Sequence, residues 1–350
     1  MVRPAKLRLR IPTLLRLAAA GALIGGAATG GAVHAADFYA GKRIVFIVGY
    51  AAGSGYDVNA RFIARNISKF IPGNPKVLVQ NMPGAGTLNA TNHVANLAEK
   101  DGTVVGFIAR GMALEPLFGG KGVRFDPLKL NWIGSTSREV SVIAVRGDAG
   151  VNRIEDVRNK QVIVAGPAPG TDGVTYPNVL NNLIGTKFKV ITGYRSGKAM
   201  ALAVKRGEVQ GRGSWSWASF RKEAMDDLKA GKLKVLLQMG VAKSPDLPNV
   251  PLVLDYAKTG EHRRILDIVL AGQAMAWPSF MAADVPKERV AIFRKAYLDM
   301  LADKAVRAEG ERIGIDVDPV PGEEITALLK RVYASPKALV GKVKTMAGRQ

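Results

Sequence analysis

The segment Lys42 to Gly49 (KRIVFIVG) constrains the fold more than any other. It is a nearly unbroken apolar run rich in β-branched residues, the pattern of a strand covered on both faces. It runs into Tyr50-Ala51-Ala52-Gly53-Ser54-Gly55 and then into apolar residues at Val58, Phe62, Ile63, Ile67 and Phe70, which lie at helical spacing. Asp57, three residues after Ser54, has a capping-box-like spacing at the start of that helix. The unit reads strand, glycine turn, helix.

The same rhythm recurs along the chain. Strands are expected at 76–80, 103–109 and 140–145, with a proline-glycine turn at 81–86 and a helix over 88–97. A second set opens with QVIVA at 161–165, a glycine-proline loop to Gly173, a helix over 176–184 and a strand at 188–192. A helix at 198–206, a short strand at 209–211, a helix at 218–230 and a strand at 234–239 follow. Helical faces at Phe293, Ala296, Tyr297, Met300, Leu301 and at Ile325, Leu328, Leu329, Val332, Tyr333 close the chain. Alternation of this kind predicts an α/β protein with largely parallel sheets. At 350 residues and 47% hydrophobic content there is material for about two cores. No linker separates them, which predicts two closely wrapped lobes.

Several functions are excluded early. The chain has no cysteine, so thiolate metal sites, iron–sulfur clusters and cysteine nucleophiles are absent. His34, His93 and His262 share no metal-ligand spacing. No cofactor is expected. The formal charge is +21, but the basic residues are scattered, without a run of five, which argues against nucleic acid. Five of them (Arg3, Lys6, Arg8, Arg10, Arg16) head an acid-free stretch that continues as Ala, Gly and Leu and ends Val33-His34-Ala35. This is the form of a secretory signal peptide over residues 1–35. No later segment is apolar enough to span a bilayer.

The glycine loops are the features that point to a ligand. A loop feeding a helix N-terminus offers unpaired N–H groups and the positive end of the helix dipole, a ready site for a carboxylate. Gly53 and Gly55 permit close backbone approach in the first set, Gly166 and Gly170 in the second. Neither loop completes a G-x-G-x-x-G or a P-loop, and no serine sits in G-x-S-x-G. The acidic pairs Asp226-Asp227 and Glu323-Glu324 fall on expected helix ends or exposed faces. No catalytic set emerges, and the chain reads as a non-enzyme. Trp215 and Trp217, after Arg212-Gly213-Ser214, are placed either in the cleft wall or in packing between lobes.

From Asp37 onward the chain resembles the solute-binding proteins of tripartite tricarboxylate transporters, the TctC or Bug receptors. The resemblance rests on Gly49 to Arg61 (GYAAGSGYDVNAR), on Asn81-Met82-Pro83-Gly84-Ala85-Gly86, and on the loop Gly166 to Asp172. It extends through Tyr194-Arg195-Ser196-Gly197, Gly207-Glu208-Val209-Gln210, and Ser244 to Pro251. It implies a two-lobed periplasmic binding protein fold of type II form, with the ligand cleft between the lobes. Lobe 1 is expected over 36–140 and 241–350 and lobe 2 over 141–240, with hinges near 137–145 and 238–244.

The implied function is capture of a small di-, tri- or aromatic carboxylate by lobe closure and delivery to membrane permease subunits, by a periplasmic monomer. The alternative is a sensory receptor signalling to a membrane kinase. An exported enzyme on the same fold is a third reading. The implied site comprises Tyr50, Ala52, Gly53, Ser54, Gly55 and Asp57 from one loop, and Gly166, Pro167, Gly170, Thr171 and Asp172 from the other. Ser214 stands where relatives carry an Asp, and Trp215 lies beside it. Arg110 and Arg138, after strands expected to end at the cleft, are candidates for a second ligand carboxylate. Ala51 and Ala52 replace family prolines, which makes this loop less rigid.

Overall fold

The computed structural model describes residues 38–167, 170–194 and 196–349. The leader read over 1–35 lies outside the described residues, as do Ala168, Pro169 and Arg195 of the matched loops.

Two sheets organise the chain. Strands β1 (Arg43–Val48), β2 (Lys76–Asn81), β3 (Val104–Phe107), β4 (Asn131–Ser135), β10 (Pro278–Met281) and β11 (Val320–Pro321) form the first, in the order β11-β4-β10-β3-β1-β2. Strands β5 (Ser141–Arg146), β6 (Val162–Ala165), β7 (Phe188–Ile191), β8 (Gly211–Ser216) and β9 (Leu233–Met239) form the second, in the order β7-β6-β8-β5-β9. The apolar run at 42–49 becomes β1, paired in parallel with both β2 and β3, and Ile44, Phe46 and Val48 are fully buried. The helix Gly55–Ile67 covers it with Phe62, Ile63 and Ile67. Removing each such side chain from water contributes about 1.5–3 kcal/mol, so the unit holds its loop rigidly in place. By contrast β2 is an edge strand, exposed on alternate residues.

The sheets are mixed, not largely parallel. β10 runs antiparallel to β3 and β4, β11 to β4, and β5 to both β8 and β9. The reason is topological. β1, β3, β4, β6 and β8 end toward the boundary between the sheets, whereas β5 and β10 carry the chain across it and must start there. The first crossing is 136–140. The second is 271–277, bonded to the first through Glu139 N–H to Gln273 O (2.8 Å) and Ala276 N–H to Ser137 O (3.1 Å). The expected return near 238–244 comes later, because Gln238 draws the following loop back onto β9. Its amide donates to Leu247 O and Val250 O, and its carbonyl accepts from Ser244 N–H.

The strand expected at 209–211 is shifted and longer, over Gly211–Ser216. Its glycines mark close approach of neighbouring backbone, not the end of the strand. A Cβ on Gly213 would stand 2.3 Å from Gly173 O and 2.5 Å from Pro177 Cγ, in the helix Asp172–Ile184 packed on this strand; one on Gly211 would stand 2.4 Å from Ala144 O. Three apolar clusters result, one within each lobe and one spanning both.

Candidate functional site

The first loop is built around Asp57. Ser54 caps the helix Gly55–Ile67, its Oγ accepting from Asp57 N–H at 3.2 Å. The Asp57 carboxylate, 3% exposed, accepts from Gly53 N–H (2.8 Å), Arg61 Nε (2.9 Å) and Asn81 Nδ2 (2.8 Å). Burial pushes this carboxyl up, but the bonds from Arg61, Gly53 and Asn81 together outweigh it and hold the group below the usual aspartate range. Asn81 also donates to Tyr50 O at 2.9 Å. Asp57 therefore shapes the loop, and it already takes up the Gly53 amide. Tyr50 stacks on Tyr56 (4.4 Å, 16°), which meets Trp277 (4.7 Å). Burial holds both phenols well above their usual pKa.

Arg110 joins the two sheets. Its Nε and Nη2 donate to Asp172 Oδ2 at 3.0 and 2.7 Å, at the start of the helix Asp172–Ile184. Its Nη1 stands 3.9 Å from Glu139 Oε2, and Glu139 accepts from Ser216 Oγ at 2.8 Å. The Arg110 and Glu139 side chains are 17% and 6% exposed. Beneath them the Gln273 amide donates to Tyr176 OH and to Ser141 Oγ, closing a buried network across the crossing segments.

Beside this network lies a cavity of about 200 Å³ bounded by both lobes. The first contributes Gly53, Gly55 and Asn59, the two crossing segments Ser137, Arg138, Glu139 and Trp277, and the second lobe Ser216, Ser219 and Lys222. Asn59 is 2% exposed; Thr136 Oγ1 donates to its Oδ1 (3.1 Å), and its amide N–H₂ bonds no group among the described residues. Lys222 donates to Ile313 O, while Arg138 pairs with Asp318 and Glu324. A larger hollow of about 640 Å³ lies wholly on the second lobe, beside Trp215 and away from both loops.

The expected site residues thus divide. Gly53, Gly55 and Arg138 line the cavity; Tyr50, Arg110 and Asp172 belong to the adjoining network; Ala52 is exposed. Gly166, Pro167, Gly170 and Thr171 lie outside the lining, and Gly170 O accepts from Arg349 Nη2 (2.8 Å), whose Nη1 reaches Glu115 (2.8 Å). Ser214 is half-buried within β8. Trp215 and Trp217 do not wall the cleft. A register shift opposite Val142 and Ala144 puts Arg212 and Trp215 on one face, where Trp215 is 2% exposed against Phe220 and the Arg212 guanidinium. Trp217 is also buried and donates to Asp246 at 2.8 Å. The tryptophan at the cavity is Trp277. Asn59, Glu139, Ser216 and Trp277 escaped the sequence reading; only Asn59, one helical turn past Gly55, carried a local signal.

Among the described residues, no group of His, Asp and Glu could hold a metal ion, and no helix is long and apolar enough to cross a membrane.

No protein-family model matches the chain. A curated relative, the UPF0065 protein in the gbd 5' region of Cupriavidus necator, is 27% identical over 247 residues, 67% of this chain and 70% of the relative. Among solved structures, a TctC solute-binding protein from Polaromonas is 22% identical, with a TM-score of 0.66 over 86% of this chain and 98% of its own. The periplasmic binding protein BugD is 20% identical, with a TM-score of 0.64 over 88% and 98%. MatC from Rhodopseudomonas palustris, solved with bound malate, is 20% identical, with a TM-score of 0.61 over 87% and 99%. The fold that the motifs imply is shared with these structures over 86–88% of this chain.

Proposed function

We propose that this chain, whose two-lobed α/β fold is that of the TctC and Bug solute-binding proteins, is an exported receptor that captures a small organic carboxylate between its lobes. Its place of work is the periplasm, and it hands the ligand to membrane permease subunits. The observation that carries this reading is the cavity, because its hydrogen-bonding groups come from both sheets. Asn59 and the end of the 55–67 helix belong to one lobe, Ser216 and Ser219 to the other, and Ser137 to the segment between. A ligand bonded to all of them stabilises the closed arrangement, as hinge-type binding requires. At about 200 Å³ the space is below the roughly 300–1,000 Å³ of pockets for drug-sized ligands, which suits a short-chain acid. The malate found in MatC is of that class. Ser216 is bonded to a carboxyl group and no histidine among the described residues lines the cavity, so release of the ligand unchanged fits the residues better than acyl transfer does.

A thermal-shift screen of the ligand-stripped protein tests the reading. A carboxylate at a hundred times its dissociation constant adds about 2.7 kcal/mol of stability. No shift with mono-, di-, tri- or aromatic carboxylates would remove it.

A further inference from the structure

Glu139 is an unusual wall for a site that takes anions. Its side chain is 6% exposed and lines the cavity from the first crossing segment. Among the described residues its only hydrogen bond from a side chain is the neutral one from Ser216 Oγ, and its one ion-pair partner, Arg110, stands 3.9 Å away with its two short bonds given to Asp172. The other charged groups around it are committed elsewhere. Asp316 is paired with Arg221 at 2.6 Å, Arg138 with Asp318 and Glu324, and Lys222 with a backbone carbonyl. Tyr56 and Tyr176 face it as phenols held protonated by burial. Arg110 thus faces two carboxylates, the buried Glu139 and the part-exposed Asp172, before any ligand enters, and Lys222 across the cavity has no carboxylate partner among the described residues.

A ligand carboxylate in a cavity of this size meets Glu139 directly. Two like charges in one desolvated site raise the pKa of the less compensated group, and one proton is shared between them. Asp172 keeps its two bonds from Arg110; Glu139 has no equivalent. Taking the cavity as a carboxylate site, as proposed above, we infer that capture of the ligand is coupled to uptake of one proton by Glu139. The protonated carboxyl then donates a hydrogen bond to the ligand carboxylate while the Ser216 hydroxyl continues to donate to its other oxygen. Burial by itself pushes this carboxyl above the ordinary glutamate range, against the pull of Arg110 and the Ser216 bond.

Isothermal titration with malate, repeated in buffers of different ionisation enthalpy between about pH 6.5 and 8.5, counts the protons. The expected result is net uptake approaching one proton per ligand at the alkaline end, with affinity falling up to about tenfold per pH unit there. Glu139→Gln is expected to bind without uptake and with an affinity independent of pH over the same range. Measurable binding with no net uptake at any pH overturns the coupling and leaves the receptor reading standing; so does uptake that persists in Glu139→Gln. Absence of binding by malate, adipate and citrate alike overturns the receptor reading and the coupling together. If Glu139→Gln does not fold, Glu139→Asp takes its place: uptake retained at a shifted pH is expected, and absence of uptake by the wild type still overturns the coupling.

Discussion

Replacing Arg110 by Gln tests whether the contact between the lobes is electrostatic as the geometry implies. The substitution removes two bonds to Asp172 and the charge facing Glu139 at 3.9 Å. Breaking a buried ion pair from one side costs about 3–5 kcal/mol, because the remaining charge is stranded. Asp172 is 32% exposed and recovers hydration, so its share is discounted. Glu139, at 6%, cannot recover it, and about 2–4 kcal/mol is expected at neutral pH. With a urea m-value of about 3 kcal/mol/M for a chain of this size, that is a midpoint shift of about 1 M. The sign with pH is fixed by Glu139. Its folded-state pKa is raised, so the stability that depends on its proton is complete below the unfolded value of about 4.3 and is lost as pH rises through the folded value. The cost of Arg110→Gln should therefore shrink as pH falls. A cost below about 0.5 kcal/mol at neutral pH, or one equal at pH 5 and pH 8, would refute the reasoning.

Three further outcomes follow from the same contacts. Asp57→Asn should cost about 1.5–3 kcal/mol at neutral pH through its charge-assisted bonds. Because the folded pKa of Asp57 is depressed, that difference should be present above the unfolded value of about 3.9 and disappear as pH falls through the folded one, as acid denaturation will show. Gly213→Ala forces the 172–184 helix off β8 and should destabilise by at least about 1–3 kcal/mol in chemical denaturation. Trp277→Ala should weaken carboxylate binding about tenfold or more, whereas Trp215→Phe should leave affinity unchanged and lower stability by about 1 kcal/mol.

What was legible in the sequence was local. The run Lys42–Gly49, the glycine loop and the Ser54 cap specify β1, its turn and its helix within one stretch of chain, and all three stand in the structure. The role of Asp57 was half legible: its place at the helix start was plain, but its bond to Asn81 depends on β2 lying parallel beside β1. Gly211 read as the end of a strand because nothing nearby announces β5 beside it or the helix packed on Gly213. Glu139 and Trp277 were invisible for a different reason. Each lies in a segment that carries the chain between sheets, with neither helical nor strand periodicity, and the two line one cavity only because those segments pair 134 residues apart, at Glu139 N–H and Gln273 O. The bulge in β8 likewise turned Trp215 away from the side on which simple alternation would place it.

The central claim is that both lobes hold one carboxylate in the cavity between them. Calorimetric titration of malate into the stripped wild type, Asn59→Ala and Ser216→Ala tests it most directly, since the two side chains belong to opposite lobes of one cavity. The account predicts saturable one-to-one binding, weakened in each variant by about tenfold, or roughly 1.4 kcal/mol. Saturable binding with unchanged affinity in both variants would contradict it, because the ligand would then be held somewhere other than the space these lobes enclose.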